Sequence, residues 1–484
     1  MNRNKAIQGV LLLTMSSFFL RGIGMMYRIV LSERIGMEGM GLYQLIMTVY
    51  GLFSMLACAG LTITVSRLCA ERPRAACSAV RSACLYAGAL GTALGAALLL
   101  AADGIASRLL GDGRAAMALK WIAPSLPMMG VSAALRGYFL SRGDVARPTI
   151  AQMTEQVVRV GLVLFLLFSL EITELSQACA AILFGATAAE AVSLSLCALF
   201  YARSRELAGE SLPLREVMGG VLPIWLGALL QCGMQTAENL LIPVLLKLSG
   251  ASASHALAQY GLLSGMVLPI LLFPAAFPAA VGTLLLPEIA RESARGRAER
   301  VRALTRKTLA AALYMAMGFC ALFLAFGQEL MELLYDNAAA GGLLTLLTPL
   351  LPLLYVESIC DSMLKGLGRQ GATLVIETVD SALRILGILL LLPRLGMMGY
   401  VVILYGSAVL CALTRLKLLL HFAGMDRREL LLLLFEPVTM ARGLLAQRRA
   451  RGAKKAPGGK STPRQGPGLP DRKRGADAPY FMSS

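Results

Sequence analysis

The chain has 484 residues, 57% of them hydrophobic and only 15% charged, which is more apolar surface than a soluble core of that length buries, so lipid is its solvent. A net charge of +17 at first suggests a nucleic-acid partner, but eleven Lys and Arg lie beyond Ala441 and most others fall in alternate loops, the pattern of membrane orientation. Ten cysteines with no Cys-x-x-Cys pair and two histidines, His255 and His421, argue against a metal centre or a histidine-based dyad, and no phosphate-cradling Gly-rich loop is present for ATP hydrolysis; no cofactor and no enzymatic activity are expected.

The first segment carries Arg3 and Lys5 before an apolar run from Ala6 to Leu20, as a signal peptide does, but no small-x-small site follows and the pattern continues as a helix through Val30. Sorting apolar stretches by the length that crosses about 30 Å of hydrocarbon predicts twelve spans, roughly 7–30, 41–66, 79–102, 115–140, 149–170, 175–201, 217–241, 256–286, 303–327, 343–366, 372–393 and 397–420. Basic loops fall between spans two and three (Arg67, Arg72, Arg74, Arg81), four and five (Arg142, Arg147) and eight and nine, where Arg291 to Lys307 contributes seven bases. Opposite them, Glu171 and Glu174, and later Glu329, Glu332 and Asp336, lack compensating bases, so both termini are predicted cytoplasmic. Span eight holds Pro269, Pro274, Pro278 and Pro287 and should be kinked, a break tolerated only against protein or a wet cavity.

The chain repeats itself. Pro124 and Pro349, Pro127 and Pro352, Gly143 and Gly368, Glu155 and Asp380, and Arg159 and Arg384 share one offset, 349 − 124 = 225, while Gly9, Gly22 and Val10 align with Gly220, Gly233 and Val221 at 211. The expected fold is therefore an all-α polytopic membrane protein of about twelve transmembrane helices in two six-helix pseudo-symmetric lobes, 1–205 and 206–424, with a V-shaped transporter architecture. A Leu-rich interfacial segment, 425–446, and a basic disordered tail, 447–484, attracted to anionic lipid, complete the expected layout.

Charges inside spans ask for a reason, because one near the bilayer centre costs roughly 2.5–3.5 kcal/mol on insertion scales. Arg21 and Arg28 stand two helical turns apart on one face of span one, beside Gly22 and Gly24, and form an anion site if that face points inward. Glu155 and Arg159, and Asp380 and Arg384, are acid-first pairs four residues apart, either a structural lock or exchangeable partners of a phosphate. Span seven carries Gln231, Gln235, Glu238 and Asn239, a polar strip expected to face Arg21 and Arg28. Glu357 and Asp361 in span ten suit a cation or a proton, unless Asp361 meets Lys365 instead. The two Glu/Asp–Arg pairs read as the symmetric part of the duplication, with selectivity where symmetry breaks, Arg21 and Arg28 being answered by Cys232 and Asn239.

The stretch Phe18 to Gly41, FFLRGIGMMYRIVLSERIGMEGMG, with Leu42-Tyr43 and VSRLCAE at 65–71, resembles the stage V sporulation protein B-like polysaccharide exporters of the multidrug, oligosaccharidyl-lipid and polysaccharide exporter superfamily, over about residues 5–425. That resemblance implies a cell-membrane flippase that moves a lipid-linked pyrophosphate oligosaccharide or peptidoglycan precursor by alternating access, in cell-wall or sporulation-related synthesis. It implies that span-one cations line the cavity, which assigns substrate binding to Arg21, Gly24 and Arg28, with Arg159, Glu238, Asn239 and Arg384 beside them. Coupling to Na+ or H+, or gating, falls to Glu155, Asp380, Glu357, Asp361, Pro274 and Pro278. Relatives commonly have fourteen spans, the last two forming a lipid-tail groove, whereas this chain turns surface-like after His421. The alternatives are a multidrug or cation antiporter of the same fold, which needs an acid-dominated pocket, and a non-transporting membrane component of envelope polysaccharide synthesis.

Overall fold

The computed structural model describes residues 3–169, 172, 174–204 and 213–424; the proposed interfacial segment and basic tail lie outside them. Helix covers each of the twelve expected spans, and no strand occurs among the described residues. Among the described residues nine helical runs are long and apolar enough to cross a membrane. The first of these, Met15–Glu71, is 57 residues long; at 1.5 Å per residue it would measure about 85 Å, so it must pass twice. It bends where Gly36 takes φ 66° and ψ −175°, and breaks again at Gly60. Two expected spans fall outside the nine. The fourth is split into Ala115–Ile122 and Ser125–Ser141 at Pro124, and the eleventh, Gln370–Leu395, carries too many charges, Glu377, Asp380 and Arg384 among them.

Local structure follows the duplication residue by residue. Pro124 ends one helix and starts the next, and at the matching place Thr348–Leu350 is a 3-10 turn built on Pro349, because proline has no N–H to give and its ring crowds the preceding turn. Gly143 and Gly368 end their helices with φ 70° and 76°, a left-handed conformation that costs glycine little. In both, the glycine N–H reaches the carbonyl three residues back (Leu140, Lys365) and the next N–H reaches five back (Phe139, Leu364), so the orphan carbonyls are satisfied identically. Packing repeats too: spans two on four, three on four, four on six and five on six are matched by eight on ten, nine on ten, ten on twelve and eleven on twelve.

Span eight is the exception among the helices. It runs as Ala253–Gly261, a π-helical turn Leu262–Val267, a short helix Leu268–Leu272, a 3-10 turn Phe273–Ala275 and a final helix Ala276–Ala294. Pro269, Pro274 and Pro278 explain the break as expected, and π turns commonly mark functional places. At its N-terminal end it crosses span two with no side chain between the backbones. A Cβ on Gly41 would fall onto the Leu257 carbonyl, and one on Gly261 onto the Met37 carbonyl and Gly41 N. The neighbouring turns tie the same end together: Arg114 holds Glu38 at 2.5 Å, the Ser254 hydroxyl donates to Glu38, and Asn337 reaches the Met37 sulfur at 3.1 Å.

Candidate functional site

Spans one, two and eight enclose a cavity of about 420 Å³ lined by Arg21, Gly24, Met25, Arg28, Gln44, Ser264 and the Leu268–Phe273 stretch. Gly24 places no side chain between the two arginines, which stand on one helical face as their spacing predicts. Among the described residues no carboxylate lies within ion-pair distance of either guanidinium. Gln44 bridges the walls, its amide donating to the Ser264 carbonyl in the π turn at 3.1 Å. The cavity thus sets two cations against a largely apolar wall supplied by the broken helix.

A second cavity, of about 430 Å³, lies in the other half of the chain and shares Leu268 and Leu272 with the first. Gln231, Gln235, Glu238 and Asn239 line this second cavity, so the span-seven strip does not face Arg21 and Arg28 as expected. The reason is electrostatic: Glu238 is drawn to Arg384, 3.3 Å away on span eleven, and takes a hydrogen bond from the Tyr400 hydroxyl at 3.3 Å. Arg384 also holds Asp380, at 3.2 Å, and the Ser407 hydroxyl donates to Asp380 at 2.7 Å. Arg415 of span twelve pairs with Glu357 at 2.9 Å and Glu377 at 3.1 Å. Asp361 turns away from this cavity and meets Lys365 at 2.6 Å. Pro274 and Pro278 are buried in the break of span eight and line neither cavity.

Glu155 and Arg159 belong to neither cavity. They pair at 2.6 Å, and Arg136 of span four joins Glu155 at 3.2 Å while also donating to the Ser193 hydroxyl at 3.1 Å. Buried Glu190 stands beside this network. The two Glu/Asp–Arg pairs therefore recruit opposite third partners, a second arginine in the first half and a second carboxylate in the other.

Arg136, Glu190, Glu377 and Arg415 were not singled out by the sequence reading, for none has a partner at helical spacing inside an apolar span that draws the eye. The duplication held the signal: 361 − 136 = 225 and 415 − 190 = 225, so Arg136 matches Asp361 and Glu190 matches Arg415, with the sign of charge reversed at both.

Known proteins bear out the resemblance. Residues 6–216 match the sequence profile described as Polysaccharide biosynthesis protein. Stage V sporulation protein B of Bacillus subtilis is 23% identical over 437 residues, 85% of this chain and 83% of that one. Sporulation protein YkvU of the same organism is 25% identical over 361 residues, 72% and 79% of the two chains. A solved structure described as the inward-facing conformation of a multidrug resistance MATE family transporter of the MOP superfamily superposes with a TM-score of 0.67 at 14% identity, covering 84% of this chain and 96% of that one. The first half of the chain thus carries the signature of the polysaccharide biosynthesis proteins, and 84% of its length has the multi-pass membrane fold of a MOP-superfamily transporter.

Proposed function

We propose that the protein is a flippase that carries a lipid-linked pyrophosphate oligosaccharide, or a peptidoglycan precursor, across the cell membrane by alternating access. The observation behind this reading is the pair of guanidiniums, Arg21 and Arg28, facing a cavity of about 420 Å³ with no carboxylate partner among the described residues. Two such cations at membrane depth are costly unless an anion completes them, and a pyrophosphate offers both charge and the paired oxygens that a guanidinium fork fits. The loop charges orient both termini to the cytoplasm, so the substrate would be taken from the inner leaflet. Energy would come from an ion gradient (Na+ or H+), the membrane potential or the substrate gradient itself, since the sequence offers no nucleotide-binding loop.

In proteoliposomes loaded with a fluorescent polyprenyl-pyrophosphate sugar, Arg21→Ala with Arg28→Ala should lower the transport rate at least about tenfold, the equivalent of some 1.4 kcal/mol. A wild-type rate in that double variant would sink the site assignment. A cation or drug antiporter of the same fold is the second reading, favoured by the four carboxylates of the second cavity. Accumulation of cationic dyes in pump-deficient cells separates the two, because only the antiporter lowers it.

A further inference from the structure

We infer that the second cavity receives a cationic group of the same substrate, so that the transported pyrophosphate-linked glycan bears a free primary amine on its sugar or on an attached peptide. This deepens the flippase reading and rests on it. The argument begins with charge. Six acidic or basic side chains line the second cavity: Glu238, Glu357, Glu377, Asp380, Arg384 and Arg415. Each guanidinium is shared by two carboxylates, Arg384 by Asp380 and Glu238, Arg415 by Glu357 and Glu377, at 2.9–3.3 Å. Four acids thus meet two bases, leaving two negative charges without a counter-charge when all are ionised.

The duplication shows where that excess arises. At an offset of 225, Glu357 and Glu377 match Ser132 and Gln152, and at 211 Glu238 matches Tyr27. Three uncharged positions of the first half have become carboxylates in the second. The network around Glu155 in the first half stays balanced, two acids with two bases. Over the same duplication, Cys232 and Asn239 match Arg21 and Arg28. One half has therefore gained cations where the other has gained acids, and each gain borders a cavity.

The acids surround guanidiniums rather than converge on a point, and among the described residues no group of three or more acidic, histidine or cysteine side chains has a spacing that would hold a metal ion. The excess of negative charge suits an ammonium instead. Glu238, its side chain 4% exposed, is held by Arg384 at 3.3 Å, while Glu357 and Glu377, 22% and 32% exposed, are the carboxylates that a ligand in the cavity can reach. An ammonium carries three donors for such carboxylates. Gln235 and Asn239 add neutral groups for hydroxyls, as a sugar requires. Because Leu268 and Leu272 border both cavities, one ligand can place its anionic and cationic parts on either side of them.

The test uses the full-length protein in nanodiscs and two probe pairs, each differing by one acetyl group: polyprenyl-pyrophosphate glucosamine against its N-acetyl form, and octyl glucosaminide against octyl N-acetylglucosaminide. At pH 7 the free-amine member of the pyrophosphate pair should bind at least tenfold more tightly. Glu238→Gln with Glu377→Gln should bring that ratio close to one, and measurable binding of the N-acetylated probe by the same variant shows that it is folded. Glu357→Gln alone should give an intermediate ratio. Equal affinity within both pairs overturns the inference and indicates that the acids carry protons only. An amine preference in the octyl pair, with no gain from the pyrophosphate, keeps the amine subsite of the second cavity but overturns the flippase reading and, with it, the pyrophosphate-linked substrate.

Discussion

Glu155 and Asp380 occupy equivalent places, yet they bear different loads. Glu155, its side chain 11% exposed, is the carboxylate that Arg136 and Arg159 share, whereas Asp380 shares Arg384 with Glu238. Removing one partner of a buried pair leaves an uncompensated charge and costs about 3–5 kcal/mol, while removing one of two like partners leaves the pair intact. Glu155→Gln should therefore lower the apparent melting temperature in detergent markedly, and Asp380→Asn should cost only about 1 kcal/mol; equal losses would contradict the sharing. Sequence reading found the pairs at helical spacing because both members sit on one helix. It missed Arg136 and Arg415, whose partners arrive from helices 19 to 58 residues away, a distance only tertiary packing closes. Outside the spans, burial pushes the Asp112 carboxyl up, but hydrogen bonds from Arg114 outweigh it and hold it below the ordinary aspartate range. Its folded value being depressed, its contribution is complete above the unfolded value of about 3.9 and is lost as pH falls through the lower folded one. The turn that holds Glu38 should accordingly loosen only below about pH 4, as hydrogen exchange at 110–116 would report.

At the level of the helix, length and apolar content predicted helix where each of the twelve spans lies, and ten of them fall within described runs long and apolar enough to cross, because a membrane imposes one thickness on every crossing. They did not locate the breaks equally well. Proline announced the break in span eight, whereas those at Pro124 and Pro349 inside spans four and ten and the π turn at Leu262–Val267 were not expected. The paired glycine stops offer a clean measurement. Gly143→Ala and Gly368→Ala force a Cβ into the same left-handed conformation, at φ 70° and 76°, and each should cost about 1 kcal/mol. The two losses should agree within a few tenths, since the surrounding hydrogen bonds are the same; a large difference would show that the repeat is less faithful in energy than in geometry.

For the molecule as a whole, the crossing of Gly41 and Gly261 decides how closely spans two and eight approach at one end. Alanine at either place drives a methyl group into backbone, which a side-chain rotation cannot relieve. In a transporter with two states, such a change favours the state in which these ends separate. A cysteine pair at Glu38 and Ser254 should therefore cross-link readily in the parent background and several-fold less with Gly41→Ala, with transport falling in step. Undiminished cross-linking would mean that this end does not open. The crossing was not readable from one sequence, because glycine in an apolar helix also serves as an ordinary small residue.

The leucine partition has a thermodynamic corollary. Leu268 and Leu272 are walls of both chambers, so whatever displaces them on one side changes the room available on the other. Occupancies on the two sides are then linked, and linkage is reciprocal: the factor by which pyrophosphate alters the affinity for an amine must equal the factor by which the amine alters the affinity for pyrophosphate. Both factors should collapse to one when the two leucines are shortened to alanine. A lipid bearing both groups would gain from that coupling as a single ligand, while fragments bearing one group each would meet the partition as a barrier.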